Sequence, residues 1–357
     1  MFPEFFWWFG VAALILFSFW FLCKSFEILW QLLWPHVFGR PKNLHKLAGA
    51  KWAVVTGATD GIGRAYAFEL ASKRFDLILI SRSQSKLDTT ADEIRFVHSH
   101  VQIKTIEFDF SNPNVEDYEQ KIFSVFEPLE IGILVNNVGL AYEYPERIDL
   151  QHDALKRCAD MVVVNGLPTT LLSAHVLHQM AKRKSGILIN ISTSAALFPM
   201  PWWAVYSSIK KYVSVLTLTL RKEFAGNNLI IQTVHPMVVV TKMARVVQDT
   251  PSIFGVTPEH FARSAVRTIG LVDETCGCLA HEIQSTFVFR LLPYWLLERM
   301  LMVNNREMRA KAIQRLSEET SLLSYEVKLT GELDVVRELF PLIIPIAINE
   351  MTLKMDV

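Results

Sequence analysis

The sequence lacks a net charge. It contains 36 basic and 36 acidic residues among 357, whereas nucleic-acid binding needs a surplus of Lys and Arg to neutralise phosphates. We therefore expect no nucleic-acid partner. The composition also excludes a disordered chain, because 51% of the residues are hydrophobic and can bury enough apolar surface to offset the ordering entropy.

Cysteine is scarce. The four residues Cys23, Cys158, Cys276 and Cys278 are too few and too scattered for a secreted disulfide framework, so we expect reduced thiols. No metal site is expected either, because no acidic or cysteine partner stands at ligand spacing from the histidine pairs. Those pairs are His98 with His100 and His175 with His178.

Charge is absent from one long run near the start of the sequence. Residues 5–23 read FFWWFGVAALILFSFWFLC, and about 20 apolar residues allow a helix to cross a bilayer. We predict a transmembrane anchor over residues 1–24, because a signal peptide would have a basic segment before the run and a small-residue cleavage site after it. Basic residues follow the anchor and only Glu4 precedes it, which predicts a cytoplasmic domain.

Two other apolar stretches flank the central sequence. Residues 26–38 are too few to span and carry Trp30 and Trp34, which favours an interfacial or re-entrant helix within a linker over residues 25–50. Residues 287–302 fit either a helix packed on the core or one that lies on the bilayer or covers a lipophilic pocket. Near the end, residues 339–348 are too short to span and contain two prolines.

The central sequence alternates short apolar runs with helical periods. Near-continuous apolar strands are buried on both faces, which is typical of a parallel sheet covered by helices. We therefore predict one doubly wound, Rossmann-type α/β domain over residues 51–315, followed by an extension over 316–357. The predicted strands are 52–56, 76–81, 101–108, 131–136, 186–192 and 229–234.

The first of these strands leads into a glycine-rich turn, and a helix over 64–72 follows. Glycines there allow a tight turn and a close approach of the backbone to a pyrophosphate at the helix N-terminus. The predicted binding residues are Gly57, Thr59, Asp60, Gly61, Ile62 and Gly63. Where an NAD site would place an acidic residue, after the second strand, the sequence has Arg82, which favours the 2′-phosphate of NADP(H).

A candidate proton-transfer pair lies in the helix predicted over 204–224. Tyr206 and Lys210 stand at i and i+4 and so share one face. A neighbouring ammonium group stabilises phenolate, so we expect Lys210 to lower the pKa of Tyr206.

The Gly-x3-Gly-x-Gly turn and the pair Tyr206 and Lys210, 13 residues after Thr193 at a strand end, resemble the short-chain dehydrogenase/reductase family. The resemblance implies that Thr193 replaces the family's catalytic serine and that Asn165 is its fourth catalytic member. Several further positions match cofactor-contacting segments of the family. They are Asp109 beside adenine, Asn136 in Asn-Asn-Val-Gly beside adenosine, and Pro236 to Thr241 beside nicotinamide, with Met237 replacing a glycine.

Together with the predicted anchor, the sequence resembles the membrane-bound group that contains very-long-chain 3-oxoacyl-CoA reductases and 17-beta-hydroxysteroid dehydrogenases, and most of all its nematode steroid dehydrogenase-like members. This implies an NADPH-dependent reductase of a lipophilic ketone in the endoplasmic reticulum membrane, with the catalytic domain in the cytoplasm. A long-chain 3-oxoacyl-CoA is the leading substrate and a 17-ketosteroid the alternative. The family analogy also leaves a homodimer open.

Thr193 departs from the family pattern. Threonine keeps a hydroxyl that can donate to a carbonyl oxygen, although its methyl group restricts the rotamer. We expect Thr193 to act in place of the serine, with Ser194 as the alternative. A third hypothesis is an inactive membrane scaffold that binds NADPH without turnover.

Overall fold

The computed structural model describes residues 2–151, 153–244 and 255–330. The predicted apolar segment over 339–348 lies outside these residues, as does most of the predicted extension.

Strands and helices of the described residues are numbered here in chain order. The strands are β1 Trp52–Thr56, β2 Asp76–Ser81, β3 Ile103–Glu107, β4 Ile131–Asn136, β5 Ile187–Ile191, β6 Ile230–Val234, β7 Val238–Val239, β8 Gly255–Val256 and β9 Glu274–Thr275. The helices are α1 Phe2–Leu33, α2 Leu44–Ala48, α3 Gly61–Ser72, α4 Gln84–Val97, α5 Val115–Tyr118, α6 Ser124–Phe126, α7 Ala154–Arg183, α8 Ala204–Glu223, α9 Pro258–Arg267, α10 Leu279–Thr286 and α11 Tyr294–Thr330.

Seven strands form one parallel sheet in the order β3-β2-β1-β4-β5-β6-β9. The strand order reverses at β1, whose neighbours are β2 on one side and β4 on the other. A crevice therefore opens at the carboxyl ends of these strands. The doubly wound α/β fold is thereby confirmed. All six predicted strands are present, and the two-residue strands β7, β8 and β9 were missed because two residues carry no readable pattern.

The core forms one layer on each face of the sheet, because successive strand residues point to opposite sides. Val55 and Leu79 pack with α3, α4 and α9, whereas Val54 and Ile80 pack with residues 115–126, α7 and α8. Burying each such side chain contributes roughly 1.5–3 kcal/mol. Since β2, β4 and β5 are buried on both faces, they appear in the sequence as unbroken apolar runs.

The apolar start of the chain forms a single helix that is longer than predicted. We expected the anchor to end at residue 24 and a separate interfacial segment to follow, but α1 continues to Leu33 and passes into a π-helical turn over Trp34–Phe38. The reason is local, because the first residue after Lys24 that breaks a helix is Pro35.

Two helical segments of the described chain are long and apolar enough to cross a membrane. One covers Phe6–Phe38 and its most apolar part is not buried at all. The other is α7, which is half-buried and packs in the domain core. The first is therefore the candidate anchor.

The end of the candidate anchor is packed against the α/β domain. Gly39 N–H donates to the carbonyl of Trp34 at 2.6 Å, and a Cβ on Gly39 would lie 2.8 Å from Leu271 Cδ1. The side chain of His36 is buried, with Nε2 3.7 Å from Oε1 of Glu282 in α10. The connection between α1 and the domain, residues 34–39, is therefore short and closely packed against the domain, and it is called the neck below.

The last described helix crosses the domain boundary that we predicted at residue 315. α11 runs without a break past this position and is fixed to the domain through its middle. Asn305 Nδ2 donates to the carbonyl of Pro201 at 2.8 Å and its Oδ1 accepts from Trp203 Nε1 at 3.3 Å. Arg309 Nη2 lies 2.6 Å from Oε2 of buried Glu146.

A buried polar chain joins β4, β5 and α8. Asn136 Nδ2 donates to Asn190 Oδ1 at 2.9 Å, and Asn190 Nδ2 donates to Thr217 Oγ1 at 2.9 Å. All three residues are almost fully excluded from solvent. Each link therefore adds a hydrogen bond between buried polar groups, beside the bonds of Asn136 to Ser173 and of Thr217 to the carbonyl of Val213.

Replacing Asn190 with alanine is expected to lower the free energy of unfolding, by about 1–3 kcal/mol for each buried partner left unsatisfied. Chemical denaturation of the purified full chain would measure the change. The matched control is Asn304→Ala on the exposed side of α11, which should stay within about 0.5 kcal/mol of the parent. Equal stabilities of the two variants would contradict this role for the buried chain.

Candidate active site

The turn between β1 and α3 is tight because two glycines approach each other. Gly57 has a φ of +64°, and its N–H donates to the carbonyl of Ile80 at 2.9 Å. A Cβ on Gly63 would collide with the carbonyl oxygen of Gly57. No side chain therefore covers the backbone of the turn at the carboxyl edge of the sheet, which allows a pyrophosphate to approach it closely.

The N-terminus of α3 faces an open cleft. Asp60 Oδ1 accepts from Gly61 N–H at 2.8 Å, and Asp60 Oδ2 lies 3.3 Å from Lys242 Nζ. Ile62 and Gly63 belong to the first turn, where a helix offers its amides no internal acceptor. These amides and the helix dipole fit an anionic group. The cleft has a volume of about 280 Å³ and is lined by Asp60, Gly61, Arg64, Val240, Thr241, Lys242, Pro258 and Glu259.

The other predicted cofactor residues lie along the same edge of the sheet. Thr59 Oγ1 is 3.0 Å from Ser81 Oγ, which ties the glycine turn to the end of β2. The next residue, Arg82, is exposed and has no hydrogen bond or ion pair with another described residue. Asp109, beyond β3, is also exposed, and its Oδ1 accepts from the N–H and hydroxyl of Ser111 at 2.9 Å each.

The two neighbouring asparagines at the end of β4 make different contacts. Asn136, which we predicted beside the cofactor, directs its amide into the interior towards Ser173 and Asn190. Asn137 is the residue that contacts the glycine turn, since its Nδ2 donates to the carbonyl of Thr56 at 2.9 Å. The sequence motif alone did not separate these two side chains.

Three hydroxyl residues follow one another at the end of β5. Ser192 is buried, and its hydroxyl donates to the backbone carbonyl of Lys210 at 2.8 Å. Ser194 begins a 3₁₀ turn. The side chain between them, Thr193, lies close enough to the phenol of Tyr206 on α8 to lower its pKa, so the structure brings Thr193 to the phenol.

Lys210, Asn165 and Gly139 meet behind this pair. The Lys210 side chain is buried, and its Nζ donates to the carbonyl of Ile191 at 3.1 Å. Asn165 Nδ2 donates to the carbonyl of Leu140 at 2.7 Å. A Cβ on Gly139 would lie 2.9 Å from Asn165 Oδ1 and 3.3 Å from Lys210 Nζ. Both polar groups therefore pack directly on a backbone position without a side chain.

Burial controls the protonation of this group. It raises the pKa of Tyr206 to about 12, although the hydrogen bond from Thr193 partly offsets the rise, and it lowers the pKa of Lys210 to about 8. The expectation that Lys210 lowers the pKa of Tyr206 below its ordinary value is thus wrong for this structure. Burial destabilises the phenolate more than the neighbouring groups stabilise it.

The segment after β6 is held by a neutral histidine. His281 Nδ1 accepts from Met237 N–H at 3.3 Å, and Nε2 donates to the carbonyl of Val238 at 3.2 Å. Burial lowers the pKa of His281 to about 4, which keeps Nδ1 free to accept. Met237 is not among the residues with positive φ, so its side chain fits where the family pattern has glycine.

Sequence reasoning missed the aromatic wall beside Tyr206. The Trp203 ring lies 6.2 Å from the Tyr206 ring and 5.7 Å from the Tyr142 ring. Tyr142 Oη accepts from Val205 N–H at 3.1 Å, which fixes the start of α8. The only sequence signal was the aromatic pair before Tyr206, because Tyr142 lies more than 60 residues away in the chain.

The sheet order, the bare glycine turn and the grouping of a hydroxyl, a phenol, an ammonium and an amide define an oxidoreductase that uses a nicotinamide dinucleotide and acts on hydroxyl or keto groups. A sequence profile described as short chain dehydrogenase matches residues 51–252. The chain belongs to the short-chain dehydrogenase family.

Relatives of known name agree with the group indicated by the sequence. A very-long-chain 3-oxoacyl-CoA reductase of Caenorhabditis elegans is 42% identical over 83% of this chain and 92% of its own length. The reductase of that name from Anas platyrhynchos is 40% identical over 75% of this chain and 84% of its own. A C. elegans protein provisionally named steroid dehydrogenase 2 is 41% identical, covering 85% and 94%.

Solved structures share the fold. A 7beta-hydroxysteroid dehydrogenase aligns with a TM-score of 0.64 at 20% identity and covers 73% of this chain and 99% of its own. A short-chain dehydrogenase from Sphingobium yanoikuyae, solved in complex with NADPH, aligns with a TM-score of 0.54 at 25% identity, covering 60% and 82%.

Replacing Gly139 with alanine is expected to displace Lys210 or Asn165, because the new methyl group needs the space that both occupy. A shift of about 1 Å in catalytic groups can lower turnover about 100-fold. The measurement is dinucleotide-dependent reduction of a ketone by the purified variant, with thermal unfolding to verify folding. Gly10→Ala, whose Cβ would meet no atom within 4 Å, is the control. A fully active Gly139→Ala enzyme would refute the close-packed arrangement.

Proposed function

We propose that the protein is a membrane-bound, NADPH-dependent ketone reductase that converts a long-chain 3-oxoacyl-CoA to the 3-hydroxyacyl-CoA in fatty-acid elongation. The observation that carries the proposal is the contact between Thr193 and Tyr206 beside buried Lys210. The relatives named very-long-chain 3-oxoacyl-CoA reductases support the choice of substrate.

The reduction needs a proton donor and fixed hydrogen bonds at the substrate oxygen. When bound, the dinucleotide supplies the hydride for the carbonyl carbon. Tyr206 donates a proton to the oxygen, and its raised pKa suits this role because the phenol stays protonated at neutral pH. The hydroxyl of Thr193 donates to the same oxygen. Donors fixed before the reaction stabilise the developing alkoxide without reorganisation.

Lys210 and Asn165 restore the proton of Tyr206 in this scheme. With its pKa lowered to about 8, the Lys210 ammonium can release and regain a proton close to neutral pH. Its Nζ also has donors beyond the bond to Ile191 with which to hold the cofactor ribose. Asn165, packed against the same glycine, would order a water that links Lys210 to solvent.

The cofactor pocket fits NADP(H) on the grounds of charge. The bare backbone at Gly57 and Gly63 would hold the pyrophosphate, with Thr241 closing the cleft opposite Gly61, where a Cβ would lie 2.8 Å from Thr241 Cγ2. Arg82 is exposed at the end of β2. A guanidinium group recognises a 2′-phosphate through charge-assisted, bidentate hydrogen bonds.

Replacing Arg82 with alanine should raise the KM for NADPH about 10–100-fold and leave the KM for NADH nearly unchanged, because a hydrogen bond to a charged group contributes about 1.5–3 kcal/mol. Steady-state kinetics with both dinucleotides would measure the split. Lys121→Ala, another exposed cation, is the control. Equal losses with NADPH and NADH would count against recognition of the 2′-phosphate.

Two surfaces support a location in the endoplasmic reticulum membrane with the domain on the cytoplasmic side. The side chains of α1 are largely exposed from Phe6 to Trp30. A second apolar group, Ile283, Phe287 and Leu291, is more than half exposed and adjoins the end of α1, where Arg290 donates to Gln31 at 2.8 Å. Of the two interpretations offered for residues 287–302, this exposure favours contact with lipid.

Exposed apolar side chains also support a homodimer formed through the long helices α7 and α8. Val162 on α7 and Val215 and Leu218 on α8 are exposed apolar residues, and an unpartnered apolar helix surface favours self-association.

A ketosteroid is the second candidate substrate. It is supported by the relative provisionally named steroid dehydrogenase 2 and presents a ketone on a similarly apolar body. The aromatic wall of Tyr142 and Trp203 would accommodate either substrate.

Purified full-length protein should consume NADPH with a long-chain 3-oxoacyl-CoA faster than with a 17-ketosteroid, and Tyr206→Phe should lower the rate about 10²–10⁴-fold, the usual contribution of a general acid. The control is Tyr212→Phe on the same helix, whose hydroxyl lies 2.7 Å from that of Thr170. Identified alcohol products distinguish the two substrates. No difference between Tyr206→Phe and the parent on either substrate would reject the mechanism.

A further inference from the structure

A second cavity lies at the far end of α3 from the glycine turn. It has a volume of about 350 Å³ and is formed by the chain after the neck, the last turns of α3 and the last turns of α9. Since α3 begins at the cofactor cleft and runs 12 residues, the second cavity lies roughly 18 Å away, at the opposite edge of the sheet. It is therefore separate from the site of reduction.

The cavity carries an excess of positive charge. Lys42, Lys73, Arg263 and Arg267 line it, with Glu69 as the one carboxylate. Glu69 is paired with Lys73 at 3.2 Å. In the described part of the chain, the side chains of Lys42, Arg263 and Arg267 have no ion pair or hydrogen bond, so three cations share the opening without a counterion.

The two arginines point to an anionic ligand. Arg263 and Arg267 are one turn apart on α9 and so share one face, where like charges repel each other. Two guanidinium groups side by side provide paired donors for the oxygens of a phosphate. The wall beside them includes the apolar residues Leu44 and Val266, which a free inorganic ion would not use.

The short distance between the cavity and the candidate anchor points to a membrane lipid as the source of the phosphate group. Lys42 follows Phe38 by four residues, which span at most ~14 Å. The headgroup layer is roughly 5–8 Å thick, and charges interact across a Debye length of about 8 Å beyond it. The sum of these two distances is similar to the largest possible distance between Phe38 and Lys42. If α1 is embedded as proposed, the cavity lies within reach of the cytoplasmic headgroups, which include the anionic lipids of that leaflet.

We propose that this cavity binds the headgroup of an anionic phospholipid, with Arg263 and Arg267 on the phosphate, Lys42 on the remaining negative charge, and the glycerol end of the lipid against Leu44 and Val266. The inference rests on the proposed membrane location of α1. It adds to the ketone reductase a lipid site that takes no part in the reduction.

The test uses the full chain in neutral detergent and titrates it with dioctanoyl phosphatidylserine, dioctanoyl phosphatidylcholine or inorganic phosphate, with binding measured by calorimetry. Phosphatidylserine should bind the parent most tightly. Each cation near a lipid surface contributes about fivefold to binding, so the variant Arg263→Gln/Arg267→Gln should lose about 25-fold. The charge-matched control, Lys182→Gln/Lys222→Gln, changes exposed lysines elsewhere and should bind like the parent.

Equal binding of phosphatidylserine by the parent and the double arginine variant would overturn the proposal, as would equal binding of phosphatidylcholine. Saturation by inorganic phosphate at the same concentrations as phosphatidylserine would also overturn it, since that indicates a phosphate site rather than a lipid site. Ketone reduction, measured on the same preparations, should be unchanged in the arginine variant. A parent that binds lipid but reduces no ketone would contradict the proposed function and leave the lipid site standing.

Discussion

The arrangement of the site depends on the hydroxyl of Thr56, at the point where the strand order reverses. This buried group donates to the carbonyl of Val135 at 3.3 Å and accepts from the N–H groups of Asn137 and Val138 at 2.9 and 3.0 Å. A hydroxyl has one hydrogen to donate and two lone pairs, so all of its capacity is used. The end of β1 is thereby fixed to the loop that carries Gly139, and through that loop the glycine turn is connected to Lys210.

The parts of the site that the sequence predicted are those encoded by local spacing. The glycine turn and the pair Tyr206 and Lys210 each fall within one short segment, where one strand, turn or helix determines which residues lie together. The contact of Gly139 with Lys210 joins residues 71 positions apart, and no local pattern encodes such a distance. The two-residue strand β9 and the continuation of α1 were missed for related reasons, because one is too short to show a period and the other depends on the absence of a helix breaker.

Desolvation explains why the pKa of Tyr206 went against expectation. From the sequence alone, Lys210 is a nearby positive charge that favours phenolate. In the folded chain both groups are enclosed, and burial disfavours the charged form of each, so the pKa of Tyr206 rises, the pKa of Lys210 falls and the two values move apart. A phenol that holds its proton and an amine that releases one easily suit the proposed reduction, in which Tyr206 would act as the acid.

The filled neck also limits how the domain can move. Because Gly39 packs against Leu271 and His36 is enclosed beside Glu282, no free linker separates α1 from the sheet. Rotation of the domain about the axis of α1 would have to break these contacts. For an embedded α1, the domain would therefore keep one azimuth relative to the lipid, and a substrate diffusing in the plane of the bilayer would always meet the same side of the enzyme.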